Sequence, residues 1–387
     1  MRLLFITDFT EQFPYRLLNG ILKYSAEKGE HWVVCKMPPS FLRENGMEKV
    51  ADFASKWRAD VVVGQFNPDD DLQILKDRGM VVIAQDYIRR FEDVPNITSD
   101  YRKQGAMVAE RLIVKGFRNF AFFGNKGMCW SDERCEGFVQ HLQEEGCSQH
   151  VYIYDRQRIE NIWYYNQSIL SEWLLSLPRP CGIMTCDDNQ GIILLDVCST
   201  NGIQIPFQGA VIGVDNDVIL CRMSNPALSS LDVDIERGGY ELAEMAEKMV
   251  HDPSYKGEDI ILEPLNIAER MSSSVFATKD EAVNKAMHYI MDNLRRKIQV
   301  GDVLSAVPIS RRLLEQRFLK ETGRTIYQYI SRARIEWFAY RLLSSKDSIA
   351  EIAASMDEPD AKILSRSFVS VKGCTPSQYR KKNLRKL

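Results

Sequence analysis

Ile309-Ser310-Arg311-Arg312-Leu313-Leu314-Glu315-Gln316-Arg317-Phe318 and, further on, Ile349-Ala350-Glu351-Ile352-Ala353 with Leu364-Ser365-Arg366-Ser367-Phe368 are the stretches that decide the reading of this chain. In each, apolar residues recur at helical spacing, as Leu314 with Phe318 and Leu364 with Phe368, and polar residues fill the intervals. Pro308 and Gly323 bracket the first, and the Asp357-Glu358-Pro359-Asp360 run breaks the second. Gly373-Cys374-Thr375-Pro376 ends it. Two helix-turn-helix units in tandem follow from this punctuation, the first over residues 300–323 and the second from Ile349 onward. Such a unit lays its second helix in the major groove, so DNA binding is the first function the chain suggests.

Charge agrees with that reading. Residues 280–387 carry 21 Lys and Arg against 12 Asp and Glu, a net of +9, while residues 1–279 come to −12 within a total of −3. A basic end on an acidic body is the electrostatic footprint of a nucleic-acid binder. The remaining bulk properties are those of a folded protein: 387 residues, 45% apolar and 27% charged, enough for two or three domains. No apolar run reaches the roughly 18 residues of a membrane span, and the first strand meets Asp8 too early for a signal peptide, so a cytoplasmic protein is expected. The nine cysteines form no Cys-x-x-Cys pair, and no metal site or cofactor is expected.

Ahead of the basic region, short apolar runs alternate with amphipathic segments. The runs are Leu3–Thr7, Trp32–Cys35, Asp60–Gly64, Val81–Ala84, Asn119–Gly124, Gly182–Cys186, Ala210–Val214 and Ile260–Leu262. Buried strands alternating with helices predict βαβ units around mostly parallel sheets, and eight strands suit two lobes better than one. Polar residues follow several runs, among them Asp8, Asp187 and Asp215, where open α/β sheets hold their ligands.

Residues 280–382 resemble the DNA-binding domain of arabinose-operon (AraC-type) regulators, with the motif elements in the right order and spacing. The resemblance implies that Arg312, Glu315 and Gln316 face bases and that Arg311 and Arg317 face phosphates. In the second unit it gives Lys362, Ser365 and Arg366 the corresponding places. Arg332 and Arg334, on a long helix over about 326–344, are further phosphate candidates. Two departures stand out: Pro308 where the family turn has glycine, and Asp357-Glu358 where it has Gly-Phe. The second places acids in a turn close to DNA and removes an apolar anchor.

A second resemblance covers most of residues 1–270. Gly213-Val214-Asp215-Asn216, then Pro226-Ala227-Leu228-Ser229-Ser230, then Gly238-Gly239-Tyr240, together with Arg134-Cys135-Glu136-Gly137-Phe138, resemble the sugar-binding core of lactose- and ribose-type repressors. The expected architecture is therefore a two-lobed, periplasmic-binding-protein-like α/β core followed by an all-α tandem helix-turn-helix domain. The lobes would comprise residues 1–116 plus 236–262 and residues 117–235 plus 263–270, with a linker at 271–279 and the DNA-binding domain at 280–387. By family position Asp8, Arg134, Asp187 and Asp215 would hold a sugar, since paired oxygens and forked N–H groups bridge neighbouring hydroxyls. Trp130, Phe9, Phe13 and Phe66 are candidate stacking faces.

The combination resembles bacterial pentose-operon regulators. It implies a monosaccharide effector, xylose first, with another sugar or a sugar phosphate held by Arg16 and Arg134 as the alternative. It also implies promoter DNA, RNA polymerase and a second copy of the chain as partners, and activation as the outcome. No catalytic residue is expected: a glycosidase pair could be drawn from Asp8, Asp187, Asp188 and Asp215, but no nucleophile or phosphate-loop motif accompanies it.

Overall fold

The computed structural model describes residues 1–29, 31–147, 151–156, 167–206, 208–274, 278, 280–344, 347–358 and 360–384. Two six-stranded sheets occupy the first 270 residues. Sheet one contains β1 (Arg2–Ile6), β2 (Val33–Met37), β3 (Val61–Gln65), β4 (Val81–Gln85), β5 (Asn96–Ser99) and β11 (Ile260–Leu262). Its order is β11-β5-β4-β3-β1-β2, parallel throughout. Sheet two contains β6 (Asn119–Asn125), β7 (Val151–Arg156), β8 (Cys181–Thr185), β9 (Gly209–Val214), β10 (Ser229–Val233) and β12 (Pro264–Ala268). Here the order is β12-β10-β9-β8-β6-β7, with only β12 antiparallel. The central strands are apolar runs because helices cover both faces of each sheet.

Helices α1 (Gln12–Lys28), α2 (Pro39–Trp57), α3 (Gln73–Asp77) and α9 (Ile235–His251) flank sheet one. Helices α4 (Tyr101–Val114), α5 (Cys129–Glu144), α6 (Gln167–Ser176), α7 (Asp188–Thr200) and α8 (Val218–Met223) flank sheet two. The chain passes from one lobe to the other after β5, after β10 and between β11 and β12. The first passage lies at Asp100, earlier than the residue 116 boundary read from the sequence, because α4 packs against α5, β8 and β12. The α4–α5 contact is backbone on backbone: a Cβ on Gly105 would stand 2.1 Å from the Arg134 carbonyl oxygen, and one on Gly137 2.0 Å from that of Arg102.

Four strands escaped the sequence reading. β5 (Asn-Ile-Thr-Ser) and β10 (Ser-Ser-Leu-Asp-Val) are too polar to announce burial, yet Thr98, Ser229 and Ser230 are buried and bonded internally. β12 exposes Leu265 on an antiparallel sheet edge, and its alternation is faint. β7 is the edge strand on the other side.

The expected linker begins later than residue 271. Met271–Ser273 form a 3-10 turn plugged into sheet two. Ser272 accepts from Ser229 N (2.8 Å) and donates to the Val211 carbonyl (2.6 Å), and Ser273 bonds Ser229 Oγ (2.8 Å). Both serines are fully buried, while the Met271 side chain packs with the helices that follow. Residues 275–277 and 279 lie outside the described residues.

Those helices are α10 (Glu281–Asp292), α11 (Val300–Ala306), α12 (Arg311–Thr322), α13 (Ile326–Ser344), α14 (Ile349–Ala354), α15 (Ala361–Lys372) and α16 (Pro376–Leu384). They enclose two small cores. One gathers Ile290, Leu314, Phe318 and Ile330, and the other Phe338, Ile352, Leu364 and Phe368. α13 contributes to both. Caps fix the ends of the presented helices: Ser310 accepts from Leu313 N, Ser348 and Glu351 form a capping box, and Gly323 and Gly373 take the left-handed φ that a C-terminal turn needs. Among the described residues no helix is long and apolar enough to cross a membrane.

Candidate ligand cleft and nucleic-acid interface

Asp215 ends β9 in a conformation that L residues rarely adopt, with φ at 92°, and Asn216 follows at 51°. Such strain of about 1–3 kcal/mol persists where the surroundings impose it. Here they do. The Arg134 guanidinium donates through Nη2 to Asp215 Oδ1 (3.0 Å), through Nε to Gln104 Oε1 (2.7 Å) and through Nη1 to the Cys186 carbonyl (2.5 Å). Its carbon lies 5.2 Å from the Tyr101 ring centroid and 5.5 Å from that of Trp130. Arg134 is buried, and Asp215 keeps about a quarter of its side chain exposed. Thus Arg134, read from the sequence as a sugar ligand, has most of its fork committed to protein, and Asp215 is the carboxylate it presents. Trp130 turns one face to that guanidinium.

The other candidates separate. Asp187 caps α7, accepting from Gln190 N at 2.6 Å. Asp8 accepts from Thr10 N at 2.9 Å in a local turn and stays exposed. Phe66 is 1% exposed and packs edge-on against Phe91, so it is core and no stacking platform. Phe9 is held between Phe5 and Tyr15, and Phe13 packs against the lobe-one core. Arg16 is also spent: it donates to the carbonyls of Asp215 and Val233 (both 2.9 Å) and pairs with Asp232 (3.2 Å).

The sequence reading missed the residues that join the lobes. Asn189 donates to Glu11 Oε1 (2.8 Å), and Gln12 N donates to Asp217 Oδ2 (3.2 Å). On another part of the boundary Arg90 forks onto Glu133 (2.6 and 2.8 Å), and Tyr101 donates to the buried Asp86 (2.7 Å). The rule that ligands sit beyond strand ends would have found Asp86, one residue past β4. The other pairs come from distant segments and leave no local mark.

Glu11 is an exposed residue, but protein groups crowd its carboxyl: the desolvation they cause, then the carboxylates of Asp187, Asp215, Asp8 and Asp217, push its pKa up to about 8. The folded state therefore holds this proton where the unfolded chain, near 4.5, has lost it. Stability from this group is present below about pH 4.5 and is lost as pH rises toward 8. Glu11→Gln is expected to melt progressively above the wild type between pH 5 and 8, the gap then levelling. Parallel melting curves across that range would remove the carboxylate cluster from the account.

On the basic domain, Arg312 and Gln316 are exposed one turn apart on α12, while Leu314 and Phe318 point into the core. Arg311 pairs with Glu315 (3.0 Å), so these two, assigned separate DNA contacts from the sequence, hold each other. Arg317 pairs with Asp280 (3.3 Å). In α15, Lys362 and Arg366 are exposed, and the Ser365 hydroxyl donates to the Ala361 carbonyl at 2.8 Å.

Arg334 contradicts its expected phosphate role. It is buried and donates to the carbonyls of Leu294 (3.2 Å), Arg296 and Met356 (2.8 Å). The acidic turn is also not what the sequence suggests. Asp357 adopts φ 55°, the left-handed slot that glycine fills elsewhere, and Glu358 turns inward, 6% exposed, onto Lys297 (3.2 Å). Pro359 lies outside the described residues.

Residues 109–273 match the periplasmic binding protein-like domain family, and residues 304–382 match a helix-turn-helix domain family. The chain is 28% identical over 389 residues to the xylose operon regulatory protein of Escherichia coli (strain K12), covering 99% of this chain and 97% of that one. It is also 28% identical over 340 residues to the protein of the same name in Haemophilus influenzae, covering 85% and 87%. A solved structure of a xylose-binding transcription activator superposes with a TM-score of 0.74 at 26% identity, over 98% of this chain and 97% of that one. The chain is a transcription regulator with a helix-turn-helix domain, similar along its whole length to xylose operon regulators. Its sensing core has the periplasmic-binding-protein fold, and its relatives are regulators, not enzymes. The end-to-end match pairs both domains in one order, so this regulator shares its relatives' whole architecture and not only one module.

Proposed function

We propose that this regulator is a cytoplasmic, xylose-responsive activator of pentose-utilisation genes. The observation that carries the reading is Asp215, strained and aimed into the cleft by the buried Arg134 fork, in a chain matched along its length by xylose operon regulators. Asp215, with Asp187, Asp8 and the free face of Trp130, would engage the sugar. Gln12, Glu11 and Arg16 already tie α1 to the far lobe, so a ligand between the lobes would favour closure. A sugar phosphate is less well served, because Arg16 is committed to two carbonyls and Asp232. Arg312 and Gln316 in the first unit, with Lys362 and Arg366 in the second, would reach promoter bases. Two copies of the chain would add effective concentration on DNA, and RNA polymerase would be recruited beside them.

Thermal unfolding of the full chain against pentoses, hexoses and their phosphates tests this. Xylose at a hundredfold excess over its dissociation constant is expected to stabilise by about 2.7 kcal/mol. A shift with a different sugar alone reassigns the effector, and no shift with any of them overturns the sensing role.

A further inference from the structure

A cavity of about 360 Å³ lies between lobe two and the first helix-turn-helix unit. Its walls are the C-terminal end of α4, the segment after β12 and the α12–α13 corner. Five cationic side chains line it, Arg111, Lys115, Arg270, Arg324 and Arg332, against the single carboxylate of Glu269. One oxygen of Glu269 receives both Arg111 (2.8 Å) and Lys115 (3.0 Å). Arg270 is occupied by the Leu228 carbonyl (2.9 Å) and Asn216 Oδ1 (2.6 Å). The balance remains strongly positive at a site where the sensing core meets the DNA-binding domain.

Two further groups point to a ligand. The Tyr329 hydroxyl and the Arg111 Nε are buried and have no hydrogen-bond partner among the described residues, and both residues line the cavity. Tyr329 is 4% exposed. Leaving such a donor unmatched in the interior is unfavourable, because it has given up water without gaining an acceptor. Burial also lowers the pKa of Lys115, and burial with the neighbouring Arg332 lowers that of Arg324. Unmatched donors among excess cations call for an oxyanion, whose several acceptor oxygens satisfy both at once.

We infer that this junction is a binding site for a phosphate-type anion, either inorganic phosphate or the phosphoryl group of a small metabolite. It is separate from the interlobe cleft. DNA phosphate is the less suitable source, because Arg324 lies past the C-terminal end of α12, whose last residue, Thr322, is about 15 Å along the axis from Arg312. Because the walls come from both domains, an anion held there would stabilise one mutual placement of the two and so alter DNA affinity by linkage.

The test is thermal unfolding of the full chain, without DNA or sugar, as sodium phosphate is titrated against sodium chloride at matched ionic strength. A saturable rise in Tm is expected with phosphate alone. Tyr329→Phe keeps the ring and removes the donor, and is expected to weaken the apparent phosphate affinity about tenfold or more. Arg332→Ala, at an exposed position, is expected to abolish the response. The sugar response should survive in both variants, which separates this site from the sensing cleft. An equal response to chloride, or a phosphate response unchanged in both variants, would overturn the proposal. So would a reduced salt slope of DNA binding in Arg332→Ala, which would give the cluster to the DNA backbone.

Discussion

Arg134→Ala is expected to lower the melting temperature of the sensing core by roughly 10 °C and to erase its response to sugar. The magnitude follows from what the guanidinium holds. It fills a slot against Tyr101 and Trp130 and bonds Gln104, which is fully buried, the Cys186 carbonyl and Asp215. Removing one partner of a buried ion pair costs about 3–5 kcal/mol, because the remaining charge loses its compensation. For a core of this size each kcal/mol moves Tm by roughly 2–4 °C. Loss of the sugar response is a separate expectation, since the Asp215 carboxylate would lose the donor that orients it. Arg134→Lys discriminates between the two effects. A lysine preserves the charge but cannot reach Gln104, Cys186 and Asp215 together, so it should recover part of the stability and none of the sugar response. An Arg134→Lys variant with full sugar affinity would mean that Asp215 needs no fork to position it.

This pair also shows where sequence reasoning stops. Arg134 and Asp215 are both legible as candidates from motif order and from the polar ends of apolar runs. That the Arg134 fork is committed to Gln104 and the Cys186 carbonyl is not legible, because Gln104 reaches it only where α4 crosses α5 at Gly105 and Gly137. The sheets themselves were readable wherever strands are apolar on both faces. They were not readable at β5 and β10, where buried serine, threonine and asparagine bond to backbone carbonyls, to Asp86 and, at Ser229, to Ser273, and imitate a loop. In the DNA-binding domain the identity of the exposed face was readable from helical spacing. The pairings Arg311–Glu315 and Arg317–Asp280 were not: the first is one of several options for an exposed arginine, and the second links different helices.

The burial of Arg334 is written in the spacing of α13. Ile330, Arg334 and Phe338 stand four residues apart, so Arg334 lies on the buried stripe of α13. An arginine on such a stripe must find acceptors inside, and it does, at the carbonyls that close α10 and α14. Its charge faces the inward-turned Glu358 and neighbouring Asp357, the latter in the left-handed slot. The acids that looked hostile to DNA are thus part of a clip joining the two helix-turn-helix units, with Lys297 on its outer side.

Arg334→Leu is accordingly expected to destabilise the DNA-binding domain by about 3–5 kcal/mol, because Glu358 stays buried and three carbonyls lose their donor. DNA affinity should fall at least tenfold, since the spacing of α12 and α15 would no longer be fixed, while the sugar-induced shift of the core is retained. Adding Glu358→Gln to Arg334→Leu should recover part of the loss, as expected when two charges interact directly. Strictly additive costs, measured by unfolding the single and double variants, would show that Arg334 acts through the carbonyls alone and that the acidic turn plays no part in joining the units.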